Sequence, residues 1–399
     1  MRVSTNQMYL QGINAILDNQ SKLSDTNLRI ASGKRILKPS DDPAGAVRIH
    51  DLKNEAAGLQ QRLKNIDTAR GRLSYEEGVL SQVGDAMQRA RELVVQGNND
   101  ALDGQNRRAI ANELTSIRDQ LVSLGNTRDA SGEFLFSGYQ TGNKPFVRSG
   151  GQVVYNGDQG DRAINIGPGS QTIVTDNGFD VFMNVTRGNG QFEAVAPSSN
   201  TGSAVVDASL SGDFVADNYQ VTFIQATPAD PITYEVRDSS SSLVTSGTYV
   251  EGESIAWGGV ELSVTGTPDT GDVIDVAPAG KQDIFTTIQQ AIDVLGGNGA
   301  GASATADLHN RMNRVLDNLD SSMGHVLDVR ASIGTRMNGL DLEESLHQDS
   351  LLAFQQSLSQ VEDLDLAEAI NELSTRKAAL EAAQLSYVQI RDLSLFNYL

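Results

Sequence analysis

The four histidines, His50, His309, His325 and His347, are the side chains of this 399-residue chain best suited to acid–base or metal chemistry. Their spacing gathers them nowhere. Glu344-Ser-Leu-His347 has the Glu-x-x-His ligand spacing of di-iron helical bundles. Such a centre needs a second copy and two further glutamates, and the sequence has no second copy. The competing reading is a polar pair tolerated on a helical seam. There is no HExxH, no GxxxxGK[ST] and no cysteine. Asp41-Asp42 could hold calcium, but a helix cap explains it with fewer assumptions. The Gly-Asp pairs further on read as turns. The sequence therefore predicts no catalytic, cofactor-binding or metal site, and a protein that is not an enzyme.

Charge narrows the partners. Lys and Arg number 31 against 51 Asp and Glu, a net charge of −20. A surface this acidic repels phosphate backbones and anionic membranes, so nucleic acid is excluded as a partner. No apolar run approaches the length of a bilayer span, which excludes membrane insertion. Met1 to Tyr9 lacks the apolar core of a cleavable secretory signal. Without disulfides, stability must come from packing or assembly. Aromatics at 5% are lean for a compact core and suit helices packed along their length.

Proline divides the chain. Pro39 and Pro43 stand alone near the start, and the other seven of the nine prolines fall between Pro145 and Pro278. Interior proline breaks helices, so the two flanking stretches can hold long ones. Leu52, Leu59, Ile66, Leu73, Leu80, Met87 and Val94 recur every seven residues. Ile49, Ala56, Leu63, Arg70, Glu77, Gly84 and Arg91 form the partner series. This is one seam of a left-handed coiled coil. The helix should run over 44–96, with Asp42 as cap and Pro43 at the first helical position. Ile110, Leu114, Ile117 and Leu121 mark a second helix, and Ile284 to Leu295 a short third. A longer one follows from Leu308, with Leu351, Phe354 and Leu358 on its stripe. It carries a stutter between Ile333 and Met337. Asp365 with Glu368 opens a last helix bearing Leu366, Ile370, Leu373, Leu380 and Tyr387. The first forty residues form a thinner helix with Tyr9, Ile13, Ile16, Leu23 and Ile30 on one side. Gln20, Asn27, Lys377 and Gln384 interrupt the stripes of the two terminal helices. Both should be marginal alone and mobile in the free subunit.

The middle is different. Segments such as Tyr219 to Ile224, Ile232 to Val236 and Val260 to Val264 alternate apolar and polar residues between Gly, Asp, Asn and Ser, which predicts an antiparallel β-domain. Residues 145–280 hold 17 acidic and 4 basic residues, so most of the net charge sits there. Gly212-Asp-Phe-Val215 and Gly271-Asp-Val-Ile274 read as two related strand starts. The expected fold is mainly α. A long antiparallel coiled-coil rod is made from both chain ends, with a central antiparallel β-domain inserted. Its parts are the terminal helices 1–44 and 362–399, a helical rod of 45–144 and 281–361, and an acidic β-domain of 145–280.

Leu28-Arg-Ile-Ala-Ser-Gly-Lys-Arg-Ile36, followed by Ser40-Asp-Asp-Pro-Ala-Gly45, resembles the amino-terminal signature of the bacterial flagellin superfamily. Glu76 to Leu80 and Arg89 to Gln96 continue the likeness, and Asp363-Leu-Asp-Leu-Ala-Glu-Ala-Ile370 looks like the carboxy-terminal signature. The resemblance covers the two helical arms. Met1-Arg-Val-Ser-Thr5, Gly132-Glu-Phe-Leu-Phe-Ser-Gly-Tyr139 and the ending Leu393 to Leu399 depart from ordinary filament flagellins. They look like the member that stands between hook and filament.

The resemblance implies a secreted, extracellular structural subunit exported through the flagellar type III channel. Its terminal helices would order only between neighbours. The implied partners are copies of itself in a ring, hook-associated protein 1, flagellin and an export chaperone. A filament-forming flagellin is the alternative, and an enzyme or lectin in the β-domain a third reading.

Overall fold

The computed structural model describes residues 5–297 and 301–392. Residues 1–4, 298–300 and 393–399, and with them most of the quoted opening and all of the quoted ending, lie outside the described residues. The chain is mainly helical with an inserted β region. Its helices are α1 (Thr5–Ser32), α2 (Pro43–Gly97), α3 (Gly104–Gly125), α4 (Ile284–Gly296), α5 (Ala302–Glu362) and α6 (Leu366–Asp392). Two compact units form, residues 65–341 and residues 1–64 with 342–399, and α2 and α5 each contribute to both. No described helix is long and apolar enough to cross a membrane.

In the 65–341 unit, the heptad residues Ile66, Leu73, Leu80, Met87 and Val94 of α2 are fully buried. They share one core with Met312, Leu319, Val326, Ile333 and Leu340 of α5, and with α3 and α4. Ile110, Leu114, Ile117 and Leu121 supply the α3 face. The interruptions in the α2 partner series make cross-helix ion pairs. Arg70 meets Asp341 at 2.8 Å, Glu77 meets Arg330 at 2.6 Å and Arg91 meets Asp320 at 2.5 Å. Rising numbers on α2 meet falling numbers on α5, so the two run antiparallel here. The stutter between Ile333 and Met337 leaves α5 unbroken. Asp103 and Asp283 cap α3 and α4 through their carboxylates.

The insertion has two parts with different cores. Strands β1 (Phe146–Ser149) and β2 (Gln152–Tyr155) form one antiparallel hairpin, and β3 (Arg162–Gly167) and β4 (Ser170–Thr175) another. A π-helical turn, Phe179–Met183, and β5 (Val185–Thr186) follow. These pieces pack into the helical core, where the ring of Phe146 lies 5.2 Å from Phe182 and 5.3 Å from Phe285.

The remaining strands are β6 (Phe192–Val195), β7 (Val205–Leu210), β8 (Tyr219–Ile224), β9 (Thr233–Arg237), β10 (Leu243–Thr248), β11 (Ser254–Trp257), β12 (Val260–Thr265), β13 (Val273–Pro278) and β14 (Lys281–Gln282). A five-stranded antiparallel sheet, ordered β10-β9-β8-β13-β6, shares a second core with a three-stranded sheet, β11-β12-β7. Alternation sets the faces: Tyr219, Val221 and Phe223 point inward, as do Val260, Leu262 and Val264. Gly258 and Gly259, both at positive φ, make the two-residue turn between β11 and β12. A Cβ on Gly259 would stand 2.3 Å from the Asp213 carbonyl oxygen.

That close approach corrects one expectation. Gly212 to Val215 is not a strand start but loop, pinned where the Val215 amide donates to the Gly258 carbonyl. Only the second of the paired Gly-Asp segments opens a strand, β13.

Polar side chains of α5 tie the insertion down. Asn318 accepts the Gly188 amide at 2.6 Å, and the Ser321 hydroxyl donates to the Thr186 carbonyl at 2.6 Å. From α2, the buried Glu76 accepts the Asp176 amide through Oε1 at 2.9 Å. Its Oε2 is buried without a partner. Burial, reinforced by the Asp176 charge, pushes the Glu76 carboxyl well above its ordinary value of 4.5. The folded state therefore holds a proton that the unfolded state releases. The Glu76 contribution is complete below pH 4.5 and is lost as pH rises through the folded value. Glu76→Gln keeps the acceptor and removes the charge. It should raise unfolding free energy at pH 7 by on the order of 1 kcal/mol. The gain should vanish at pH 4, and parallel denaturant titrations at the two pH values measure both. Leu80→Ala, by contrast, should cost about 2–5 kcal/mol at either pH.

Candidate functional site

The unit of residues 1–64 and 342–399 gathers the terminal helices, and α1 and α6 pack on each other. Their direction follows from two contacts. Lys34, just beyond α1, forms an antiparallel bridge with Asp363, just before α6. Near the other ends, the rings of Tyr9 and Tyr387 lie 5.1 Å apart. The helices are thus antiparallel. Gly12 permits the approach, since a Cβ there would sit 3.2 Å from the Tyr387 ring.

Residues 1–64 carry ten basic and six acidic residues, net +4, whereas 342–399 carry three basic and ten acidic, net −7. The net charge of this unit lies mostly outside the paired helices, α1 having two acidic and two basic residues and α6 four acidic and three basic.

The turn before α2 is anchored by carboxylates. Gly33 has φ +69°, which lets the chain leave α1. Asp41 Oδ2 accepts the amides of Leu37 and Lys38, each at 3.1 Å, and these hold its carboxyl below the ordinary range. Asp42 Oδ1 accepts the Gly45 amide at 2.9 Å, and Pro43 is the first residue of α2. Glu362, at the end of α5, receives the Lys34 ammonium at 2.6 Å and the Lys53 ammonium at 2.9 Å. Its backbone carbonyl accepts the Arg35 amide at 2.8 Å, and the Leu364 amide donates to Gly33. One nearly buried carboxylate thereby fastens three segments.

The apolar side chains of this unit fall into two sets. Ile13, Ile16, Leu23 and Ile30 of α1 and Leu373, Leu380 and Tyr387 of α6 are half-buried. Tyr9, Leu366 and Ile370 are exposed. On α2, Ile49 and Leu59 are buried and Leu52 and Leu63 half-buried, as are Leu351, Phe354 and Leu358 on α5. His347 is buried, with Nε2 at 3.8 Å from Glu343, while Glu344 accepts from Gln348. Sequence reasoning passed over a second line. Leu10, Leu17 and Leu28 are 54%, 58% and 52% exposed. Steps of seven and eleven residues return to the same side of a helix. The line they form stands about a third of a turn from Ile16, Leu23 and Ile30. On α6, Leu385 and Val388 are also exposed. The signal lay in that spacing, masked by the stronger seven-residue stripe beside it.

The chain is similar to known proteins. Residues 3–141 match the family described as the bacterial flagellin N-terminal helical region. Flagellar hook-associated protein 3 of Escherichia coli is 26% identical over 401 residues, spanning 100% of this chain and 99% of that protein. The crystal structure of FlgL from Xanthomonas campestris is 35% identical, covers 76% of this chain and 99% of its own, and superposes with a TM-score of 0.67. That of flagellar hook-associated protein 3 from Legionella pneumophila is 30% identical, covers 78% and 98%, and gives a TM-score of 0.74.

The Glu362 fastening has a pH signature. The bonded Lys34 ammonium, then Lys53, hold the Glu362 carboxyl below its ordinary value of 4.5. Its contribution is therefore present above pH 4.5 and is lost as pH falls through the lowered folded value. Glu362→Gln should expose the 33–38 turn at neutral pH, read as several-fold faster tryptic cleavage after Lys34 or Arg35. Acidification should no longer change the turn's hydrogen exchange in that variant, whereas it should loosen the turn in the native chain.

Proposed function

We propose that this chain, which belongs to the flagellar hook-associated protein 3 (FlgL) family, is the structural subunit that joins hook to filament in a bacterial flagellum. One observation carries the mechanism: α1 and α6 use one apolar line on each other and leave a second in water. In a free subunit this line is a cost without a return. Between neighbouring subunits, burial of a leucine contributes roughly 1.5–3 kcal/mol at most, less for one already half covered. Three such side chains per subunit, repeated around a ring, stabilise an assembly that a lone copy cannot reach.

The terminal helices, 1–44 and 362–399, are on this reading the inner assembly domain, ordered fully only among neighbours. The remaining helices, 45–144 and 281–361, act as a coiled-coil rod, and the acidic β region of 145–280 faces outward. Copies of the chain form a ring. Hook-associated protein 1 lies on one side and flagellin on the other, after export with a chaperone to the outside of the cell. The flagellin-like residues 3–141 support a second reading, a filament-forming flagellin. Seeding purified subunits on filament fragments separates the two, since a flagellin grows long polymers and a junction subunit stops after one layer.

Leu10, Leu17 and Leu28 supply the direct test. Changing all three to serine should leave the melting temperature of the monomer within about 2 °C, because exposed positions contribute within about 0.5 kcal/mol each. The same variant should fail to attach to isolated hooks, and cells carrying it should shed filaments. Normal attachment and motility would show that these side chains have no part in assembly. Removal of 370–399 should likewise leave a soluble helical subunit that does not join hook to filament.

A further inference from the structure

In the 65–341 unit, the turn between α2 and α3 meets the start of α5 through a chain of polar side chains that ends on the β insertion. His309 of α5 stands between two oxygen atoms. Nδ1 is 2.7 Å from Asn98 Oδ1, and Nε2 is 2.8 Å from Asp100 Oδ1. The orientation of each amide follows from its neighbours. The Val206 carbonyl on β7 can only accept, and Asn313 Nδ2 donates to it at 3.5 Å. Asn313 Oδ1 is thereby turned to Asn98, whose Nδ2 donates to it at 3.1 Å. Asn98 must then present its oxygen to the ring, so Nδ1 of His309 donates. The Asp100 carboxylate also only accepts, so Nε2 donates as well. A ring that donates from both nitrogens is an imidazolium. An acceptor thus faces each ring nitrogen, an arrangement that a ring carrying both protons satisfies and a neutral ring does not.

We propose that His309 is a proton-operated clasp: the protonated ring locks the α2–α3 turn to α5, and loss of its proton frees the turn. A neutral ring keeps one of the two bonds and sets a lone pair against either Asn98 Oδ1 or the Asp100 carboxylate. The charged groups on the elements that meet here are Asp100 and Asp103 on the turn, Arg107 on α3, Asp307 and Arg311 on α5, and Asp207 on β7. Asp103 is engaged in capping α3, Arg107 donates to the Asn99 carbonyl, and Asp307 faces Arg311 at 3.6 Å. Asp100 alone of these lies within ion-pair distance of the ring. The imidazole is 18% exposed, so solvent protons reach it, and Asp100 at 66% is free to swing away. The other ties of the turn are local, among them the Asn98 amide to the Val94 carbonyl at 3.0 Å, the Ala101 amide to Asn99 Oδ1 at 2.9 Å and the Leu102 amide to the Asn99 carbonyl at 3.2 Å. None of these hydrogen bonds reaches α5, and the Leu102 side chain packs against the core.

Hydrogen exchange of the full-length chain, corrected for intrinsic rates, tests this on the peptide covering 97–103. Protection should fall about five-fold between pH 5.5 and pH 8.5, the equivalent of one lost hydrogen bond. Asp100→Asn should hold protection at both pH values, because a carboxamide can donate to the neutral Nε2 while Nδ1 still serves Asn98. His309→Ala should give low protection at both, with the melting of the core unaltered. Nitrogen-15 spectra should show both ring nitrogens protonated at pH 5.5. Protection independent of pH in the native chain, a neutral ring at pH 5.5, or native-like protection in His309→Ala would each overturn the clasp.

Discussion

A helix of 55 residues is held in water mainly by what it buries. For α2 within the 65–341 unit, that is the line from Ile66 to Val94, closed against α5 with almost no exposed surface. The other features of the unit depend on this seam. It sets the antiparallel register that brings Arg70, Glu77 and Arg91 to their partners. Exposed pairs of this kind contribute little energy, so they choose register more than they stabilise. The seam also gives α3, α4 and the two hairpins a surface on which to pack.

The insertion shows how a β region can be carried by helices without sharing all of their core. Residues from Phe146 to Val185 join the helical core through aromatic rings. From Phe192 onward the sandwich has a core of its own. Between the two, the links are polar: asparagines and a serine on α5 satisfy backbone groups of the insertion. Asn310 is the clearest case, accepting the Val206 amide and donating to the Ala204 carbonyl at the start of β7. Hydrogen bonds are directional, so they fix where the sandwich sits while adding modest stability.

The unit that holds the termini works differently. One apolar line pairs α1 with α6, while Glu362 fastens the ends. None of the ten side chains expected to line an assembly surface is fully buried. That incompleteness distinguishes this unit from the seam of the other, where the same residue types are sealed. A subunit whose extremities are half satisfied can remain soluble and still gain by meeting its neighbours.

The helices were legible because a seven-residue repeat survives any local detail, and because Pro145 to Pro278 bound the region that cannot be helical. The caps at Asp42 and Asp365 were legible from residue type and position. The leucines at 10, 17 and 28 were not, since a helix offers two apolar lines in one sequence and only packing says which is covered. Nor could strand order be read: β13 lies between β8 and β6, and no local pattern encodes a partner fifty or more residues away. Glu76 and His309 make the same point. Their types were plain, but burial of one and the amide chain around the other arise from elements distant in sequence. Periodicity and turn chemistry, being local, determined the elements. Partner choice, burial and protonation depend on which distant groups meet, and only the tertiary structure decided those.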